Sequence, residues 1–524
     1  MPTRVIDIGC DEDGITDARL CITNGLREPY IALSYCWGAG AKTSVMLTRG
    51  NIAQLTHGIP RDKLSSAHKD AFQVARDLGV RYVWIDALCI VQGDAEDWEY
   101  ESQRMGQVYG NAFLTVIAGR TSDSSQNFIE NDFVQKAPPC PLRMEEAEEA
   151  DGASGLFVSL PRTKKIGPVS DRAWCFQEMH LSQRSLVYGE DQLFFRCRER
   201  TVYEDGTVAN LGQMAGTAIR AGPLASLRET AALGAKTPGS PTDWRERVLR
   251  DWYQILMEYM MRQLSNPHDV FAALSSIAQL ASHTLESRYL AGIWEVDMIR
   301  GLLWKSRHQV QSGNPGPDGP RWPPVRRPEP TYLAPGPIRR APSWSWAAVQ
   351  GPTVQTTRVT ARFTADKARV RPKETNPDRW TTRMGCNANV LRMPECELQI
   401  IGRLKALQVM KSKDVSDYIM VHKQWKTYQR GKIRTYGVLL EPLGGGTPPQ
   451  VGVDPTDPLS AVVAIGVFDI AEESVSHVWC LPLVESEGLM LVQAEGGKYT
   501  RAGWFTVESR EWFEQGDEVE VQLV

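Results

Sequence analysis

Long apolar stretches are missing from this chain of 524 residues. None approaches the roughly 18–20 apolar residues that a membrane-spanning helix needs. The opening residues, Met1–Asp7, do not begin the apolar core of a signal peptide either. We therefore expect a protein that has no membrane span and lies in the cytoplasm.

Histidine is scarce, and the cysteines stand apart from one another. The sequence has 8 His and 10 Cys, and no Cys-x-x-Cys pair occurs. Structural zinc sites use closely spaced pairs of these ligands, so the sequence predicts no metal site. The Cys residues inside apolar runs are expected to be reduced thiols that pack as small hydrophobic side chains.

A basic arm is missing as well, since the net charge is −4 and no run of Lys and Arg occurs. Proteins that bind nucleic acids concentrate positive charge in such runs or patches, so no nucleic-acid partner is expected. The chain is longer than a single hydrophobic core usually serves, which predicts more than one domain.

The first part of the chain alternates strand and helix signals. Buried strands are predicted at Ile31–Tyr35, Arg81–Asp86 and Phe113–Ala118. Helices are predicted between them, at Ser65–Leu78 and from Asp94 or Asp97 to Tyr109. Strands joined through helices run parallel, so this pattern predicts an α/β domain with a doubly wound parallel sheet.

Composition divides the chain into four predicted parts. An α/β domain spans 1–205 and contains a solvated insertion at about 121–170, after which Asp171 is predicted to cap a helix. A helical region, a Pro- and Gly-rich loop and a β-rich region follow at 206–310, 311–345 and 346–524. The strands predicted in the last region are Leu398–Leu404, Ala461–Ile470, Val478–Val484, Gly488–Gln493, Gly503–Val507 and Val519–Val524.

Three short blocks carry the candidate site: Tyr30–Gly38, Trp84–Asp94 and Arg172–Glu178. The first two end strand-like runs in polar or turn-forming residues, and open α/β sheets bind ligands at such strand ends. The ring of Trp37 offers a face for stacking, and Arg172 suits a phosphate or Asp86. The residues predicted to bind a ligand are Ser34, Tyr35, Trp37, Gly38, Arg172, Trp174 and Gln177.

These blocks resemble the motifs of the fungal heterokaryon-incompatibility (HET) domain. That family carries Tyr-x-Ala-Leu-Ser-Tyr-x-Trp-Gly, then Trp-Ile-Asp-x-Leu-Cys-Ile-x-Gln-x-Asp, then Arg-x-Trp-x-x-Gln-Glu. The same motifs stand here at Tyr30–Gly38, Trp84–Asp94 and Arg172–Glu178, so the resemblance covers roughly residues 25–200. It implies a role in heterokaryon incompatibility and in regulated cell death after non-self recognition.

The order of elements is also similar to the TIR domain, which has a flavodoxin-like parallel sheet. Leu33–Gly38 corresponds to its first strand and loop, Trp84–Asp86 to its second strand, and Trp174–Met179 to its Trp-Cys-x-x-Glu-Leu block. In TIR enzymes that cleave NAD, the glutamate of that block is catalytic, which implies this role for Glu178. Trp37 departs from the pattern, because that family usually has a basic residue there.

The TIR resemblance makes NAD the candidate substrate, with no cofactor required. Cleavage of the N-glycosidic bond passes through an oxocarbenium-like state, which a carboxylate near the ribose stabilises. Glu178 and Asp86 are therefore the predicted catalytic residues.

The sequence leaves other interpretations open. Asp86 is equally suited to cap the next turn, and Arg172 and Glu178 are suited to form a structural ion pair. Trp37 and Trp174 are equally suited to core packing. The chain would then be a non-enzymatic adaptor that forms homo-oligomers through its HET region, or an enzyme recruited to small-molecule biosynthesis.

Overall fold

The computed structural model describes residues 1–9, 18–130, 140–142, 156–158, 162, 164–210, 241–306, 325–328, 331–333, 336–351, 353–354, 368–373, 397–410, 437–443 and 461–524. The chain forms two compact units, one of residues 1–225 with 272–277 and the other of residues 226–271 with 278–524. Among the described helices, none combines the length and the apolar character that crossing a membrane requires.

The first unit is built around a mixed β-sheet. Its described strands are β1 (Arg4–Asp7), β2 (Arg19–Ile22), β3 (Tyr30–Ser34), β4 (Tyr82–Trp84), β5 (Leu114–Ile117), β6 (Cys140–Leu142), β7 (Leu156–Val158), β8 (Arg184–Tyr188), β9 (Leu193–Cys197), β10 (Arg200–Tyr203) and β11 (Val208–Asn210). Strands β6 and β7 pair with each other as a hairpin, and the others form one sheet in the order β11-β10-β9-β8-β5-β3-β4-β1-β2.

The middle of this sheet is parallel. Strand β3 pairs in parallel with β4 on one side and β5 on the other, and β5 pairs in parallel with β8. The sequence prediction of a parallel α/β sheet is therefore confirmed for these strands. Antiparallel strands flank them, β1 and β2 next to β4 and β9 to β11 next to β8. Strands β1 and β2 were not predicted, because four-residue strands are too short for a clear alternation of apolar and polar residues.

Helices connect the parallel strands. They are α1 (Ile52–His57), α2 (Ser66–Asp77), α3 (Asp86–Cys89), α4 (Ala95–Ser102), α5 (Met105–Asn111) and α6 (Ala173–Leu181). Helix α2 confirms its prediction, since the Ser65 hydroxyl accepts the N–H of His68 at the start and Gly79 follows the end with a φ of +65°. Every residue of β3 and β5 is buried, as expected of strands covered on both faces.

Two helix predictions were wrong in detail. The helix predicted from Asp94 to Tyr109 is divided into α4 and α5, although Asp94 does cap α4 by accepting the N–H groups of Glu96 and Asp97. Asp171 lies in a 3₁₀ turn, and α6 begins after Arg172 without a side-chain cap.

Most residues at the start of the insertion predicted at 121–170 are exposed, but one large side chain anchors this stretch. Phe128 is fully buried, and its N–H donates to Oδ2 of Asp70 at 2.6 Å. The acidic stretch at 145–149 lies outside the described residues.

The second unit combines helices with short strands. Its helices are α7 (Pro241–Tyr259), α8 (Ser275–Leu285, whose first three residues belong to the first unit), α9 (Met298–Leu302) and α10 (Arg510–Glu514). Its strands are β12 (Tyr289–Leu290), β13 (Ile293–Trp294), β14 (Lys305–Ser306), β15 (Thr331–Leu333), β16 (Gly336–Ile338), β17 (Thr353–Val354), β18 (Arg369–Lys373), β19 (Glu397–Gly402), β20 (Lys405–Val409), β21 (Gly437–Pro442), β22 (Ala464–Phe468), β23 (His477–Pro482), β24 (Glu487–Gln493), β25 (Tyr499–Val507) and β26 (Val519–Leu523).

An antiparallel barrel forms the β-rich part of this unit. Strands β25, β22, β21, β20, β23 and β24 pair in that order, and β24 closes the ring by pairing with β25. Closure removes open edges from this ring. All six strands predicted in the β-rich region are confirmed to within a few residues. Part of the predicted loop at 311–345 is instead a hairpin, because β15 pairs with β16.

Candidate functional site

The three sequence blocks meet at the carboxyl edge of the parallel strands. Ser34 is the last residue of β3, Asp86 follows β4 as the first residue of α3, and Glu178 lies in α6. Burial raises the pKa of Glu178 and of the Tyr35 hydroxyl, the charge of Asp86 adds to both shifts, and the charge of Glu178 adds to that of Tyr35. Side chains from distant parts of the chain therefore form one electrostatic cluster.

Asp86 is the more accessible of the two carboxyl groups. Its Oδ2 accepts the indole N–H of Trp37 at 2.9 Å, and its Oδ1 accepts the N–H of Ala87 at 2.7 Å. Burial raises the pKa of Asp86 to about 6, while these hydrogen bonds and the charge of Arg172 counteract the shift. Asp86 thus accepts a hydrogen bond from the first turn of α3, as the structural interpretation of the sequence predicted. It also orients the Trp37 ring.

Glu178 is 5% exposed. Burial raises its pKa to about 7, the charge of Asp86 adds to the shift, and Ser34, Cys175 and Arg172 oppose it. The Ser34 hydroxyl lowers the pKa of Glu178, although its oxygen makes no hydrogen bond of ordinary geometry. A carboxyl group that titrates near neutral pH is suited to exchange protons or to change charge during a reaction.

Tyr35 links the carboxyl groups to a buried histidine. Its hydroxyl lies 3.0 Å from Nε2 of His68 and also interacts with the Asp86 carboxyl. His68 is 1% exposed, and burial lowers its pKa to about 4. His68 is therefore neutral at physiological pH, and the positive charge acting on both carboxyl groups is that of Arg172.

The side chains of the third block differ in how exposed they are. Arg172 and Trp174 are both partly exposed, and the Trp174 ring packs edge-to-face on Trp98 with centroids 6.1 Å apart. Gln177 is fully buried, and its Oε1 accepts the N–H of Ser276 at 3.4 Å. The Gln177 amide oxygen is thus bonded within the first unit, whereas its buried Nε2 has no hydrogen-bond partner among the described residues. Its role in ligand binding stays a prediction.

The glycine loop after β3 is filled by another part of the chain. The N–H of Gly40 donates to both carboxylate oxygens of Asp123, at 3.1 and 2.9 Å. A Cβ added at Gly38 would lie 2.2 Å from Oδ2 of Asp123, and one added at Gly40 would lie 2.4 Å from its Oδ1. The sequence predicted that Gly38 admits a ligand, but the group that it admits is the Asp123 carboxylate.

Replacing Gly38 with alanine should therefore destabilise the first unit. Gly38 has a φ of +57° and a ψ of −156°, a region that only glycine adopts readily. We expect a loss of about 2 kcal/mol in the free energy of unfolding, measured by urea titration with tryptophan fluorescence. Gly50→Ala is the control, because the nearest atom to its added Cβ lies 4.0 Å away. Equal losses in the two variants would contradict this account.

Three residues of this region escaped the sequence analysis: His68, Tyr109 and Asp123. The Tyr109 hydroxyl donates to the Leu33 carbonyl at 2.9 Å. Burial raises the pKa of Tyr109, and the charge of Glu178 adds to this shift. Helical spacing carried a signal for His68 and Tyr109, because both share a face with buried apolar residues of their helices. No local signal existed for Asp123, whose partner Gly40 lies 83 residues earlier.

Comparison with known proteins shows what part of the first unit is similar to. Residues 30–178 match the family described as heterokaryon incompatibility protein (HET). Heterokaryon incompatibility protein 6, OR allele, from Neurospora crassa is 27% identical to this chain over 136 residues. That alignment covers 24% of this chain and 20% of the relative, so the chain spans about a fifth of the length of the curated relative that it matches. No solved structure matches the chain.

Proposed function

Since this chain contains a HET domain at residues 30–178, we propose that it acts in heterokaryon incompatibility and regulated cell death by hydrolysing NAD. One observation carries the enzymatic part of this proposal. Asp86 and Glu178, both with raised pKa values, interact electrostatically beside Arg172 at the carboxyl edge of parallel strands.

The order of the parallel strands supports a TIR-like comparison. Along the chain, the parallel strands come in the order β3, β4, β5 and β8. Across the sheet their order is β4, β3, β5 and β8, so the second strand lies beside the first, and the third and fourth follow on its other side. Flavodoxin-like sheets have that order, and they bind ligands where it reverses, between the first and third strands. In this chain Ser34 and Ile117 end the two strands that flank that point.

The chemistry assigns a role to each group. Arg172 attracts the phosphates of NAD, and the ring of Trp37, oriented by Asp86, stacks on a base or on the nicotinamide. Ionised Glu178 stabilises the positive charge that develops on the ribose as the bond from C1′ to nicotinamide breaks. Nicotinamide leaves with the bonding electron pair, water adds to C1′, and the water's proton is released, so that ADP-ribose forms.

The direct test is the release of nicotinamide from NAD by the purified chain, at protein concentrations that permit oligomers. We expect the rate to rise with pH through about 7, because Glu178 must lose its proton and its pKa is raised to about 7. Glu178→Gln should reduce the rate about 100-fold or more.

The matched control is Glu28→Gln, which neutralises an exposed glutamate of the same unit. It should leave the rate unchanged. Absence of release by the wild-type chain would refute NAD hydrolysis, and a fully active Glu178→Gln variant would remove the role assigned to this residue.

A non-enzymatic adaptor is the second candidate, and two observations favour it. Glu178 is 5% exposed, and the Asp123 carboxylate occupies the space beside Gly38 and Gly40. Under this proposal the three sequence blocks hold the fold, and assembly with like domains transmits the signal. Overexpression in a fungal host separates the candidates, because killing by an adaptor survives Glu178→Gln whereas killing by NAD loss does not.

A further inference from the structure

The second unit contains a cavity of about 450 Å³ with an unusual charge distribution. Four arginines contribute to its lining, against a single carboxylate, that of Glu473. They are Arg327, Arg339, Arg340 and Arg501. The remaining lining is small and largely apolar, and pockets of this volume are typical of binding sites for small molecules.

Two of the four arginines are neutralised within the protein. Arg501 is fully buried and makes a two-point ion pair with Asp469, from Nε at 2.7 Å and from Nη2 at 3.0 Å. Nε of Arg327 donates to both carboxylate oxygens of Glu473, at 2.7 and 2.8 Å. The positive charge that remains on the lining therefore belongs to Arg339 and Arg340.

Arg340 is a buried cation without a carboxylate partner among the described residues. It is 9% exposed, and it donates to the carbonyl oxygens of Ala347, Val349 and Pro267 at 2.6, 2.7 and 3.2 Å. These bonds use three of the five guanidinium N–H groups. Burial lowers its pKa to about 10, so the surroundings compensate the charge incompletely. A buried charge of this kind is costly unless an anion accompanies it.

Arg339 adds a second cation at the same cavity. Its side chain is exposed, and no ion pair joins it to a carboxylate in the described part of the chain. Two arginines that line the same cavity, one buried and one exposed, suit an oxyanion, because guanidinium N–H groups bind two oxygens of one carboxylate or phosphate at once.

We propose that this cavity binds a small organic molecule through an oxyanion, a carboxylate or a phosphate, held by Arg339 and Arg340. The apolar part of that molecule packs against Ala341, Val475 and Val492. This site lies entirely within the second unit and does not depend on NAD hydrolysis by the first.

Isothermal titration calorimetry of the full chain tests the proposal with three probes: inorganic phosphate, phenyl phosphate and benzoate. Binding of phenyl phosphate or benzoate, tighter than that of inorganic phosphate, is the expected result. The stronger of the two identifies the oxyanion as phosphate or carboxylate. Arg339→Ala should weaken that binding about tenfold, since it removes a charge-assisted contact from an exposed position that the fold does not need.

Arg371→Ala is the matched control, because Arg371 is an exposed arginine of the same unit and does not line the cavity. It should leave the affinity unchanged, as should Glu178→Gln. Arg340→Lys keeps the charge but loses the planar fork, and it too should weaken binding. Failure of all three probes to bind at millimolar concentrations, or equal affinities of the Arg339 and Arg371 variants, would overturn the proposal.

Discussion

Glu178→Gln is expected to stabilise the first unit by about 3 kcal/mol at pH 9, and to change its stability little at pH 4. The reason is that the wild-type carboxyl group must be ionised in a buried position at high pH. Glutamine has nearly the same shape as the protonated acid and carries no charge at any pH.

The sign follows from the pKa in the folded state. The pKa of Glu178 rises from an ordinary value of 4.5 to about 7. A raised pKa means that its contribution to stability is fully present below pH 4.5 and is lost as the pH rises through 7. Asp86 acts in the same direction, since its pKa rises from 3.8 to about 6. Buried His68 acts in the opposite direction, because its pKa falls from 6.5 to about 4. The difference in stability between the variant and the wild-type chain isolates Glu178, and it should grow between pH 4.5 and pH 7.

Urea unfolding at a series of pH values, followed by tryptophan fluorescence, measures this effect. The chain has two units, so the transitions need to be fitted separately. Glu28→Gln serves as the control, because this side chain is exposed and its replacement should shift stability equally at all pH values. A Glu178→Gln variant that is less stable than wild type at pH 9 would show that the carboxylate is paired and not merely buried.

Measuring both stability and activity of Glu178→Gln separates the two proposed functions of the first unit. A group that destabilises the fold by about 3 kcal/mol is retained where function needs it. Loss of NAD hydrolysis together with a gain in stability is the pattern expected of a catalytic residue. A gain in stability with undiminished cell killing is the pattern expected if the first unit works through contacts.

Asp469→Ala is expected to have a similarly large effect on the second unit, in the opposite direction. Asp469 and Arg501 are both essentially inaccessible, and Arg501 also donates to the carbonyl oxygens of Leu302 and Trp304 and lies over the Trp304 ring at 3.5 Å. Removing the aspartate leaves a guanidinium buried without a counter-charge, which costs about 3–5 kcal/mol. The melting temperature of this unit should fall by about 10 °C.

Differential scanning calorimetry resolves this change if the two units melt separately. Glu472→Ala is the control, since Glu472 is an exposed acid three residues from Asp469 and should shift the melting temperature little. A melting temperature unchanged by Asp469→Ala would mean that solvent reaches Arg501 and that the ion pair is not truly enclosed.

Local patterns were sufficient to predict the parallel core and most of the barrel strands. Helix α2 shows why, since its cap, its apolar spacing and its terminal glycine all lie within fifteen or so residues of one another. The first two blocks also placed Ser34 and Asp86 at one edge, because the carboxyl ends of parallel strands coincide. Glu178 lies on helix α6, and only the TIR resemblance joined it to them.

Contacts between distant segments could not be predicted in the same way. The pairing of Asp123 with Gly40 joins two loops, and the contact of Gln177 with Ser276 joins helices α6 and α8, so both depend on the packing of segments far apart in the sequence. Closure of the barrel is equally non-local, because β20 pairs with both β21 and β23 in the finished fold. Sequence periodicity shows that a strand exists and which face is apolar, but it does not identify the neighbouring strand.

The antiparallel flanks of the first sheet have a practical consequence for work on shortened proteins. The stretch that matches the HET family begins with β3 and stops inside α6, so a piece cut to those limits would lack β1 next to β4 and β8 next to β5. Two apolar strands would then present bare N–H and C=O groups, ready to pair with other copies. Clustering of such a piece would reflect where it was cut, and only a protein that retains both flanks can reveal whether the whole molecule assembles by itself.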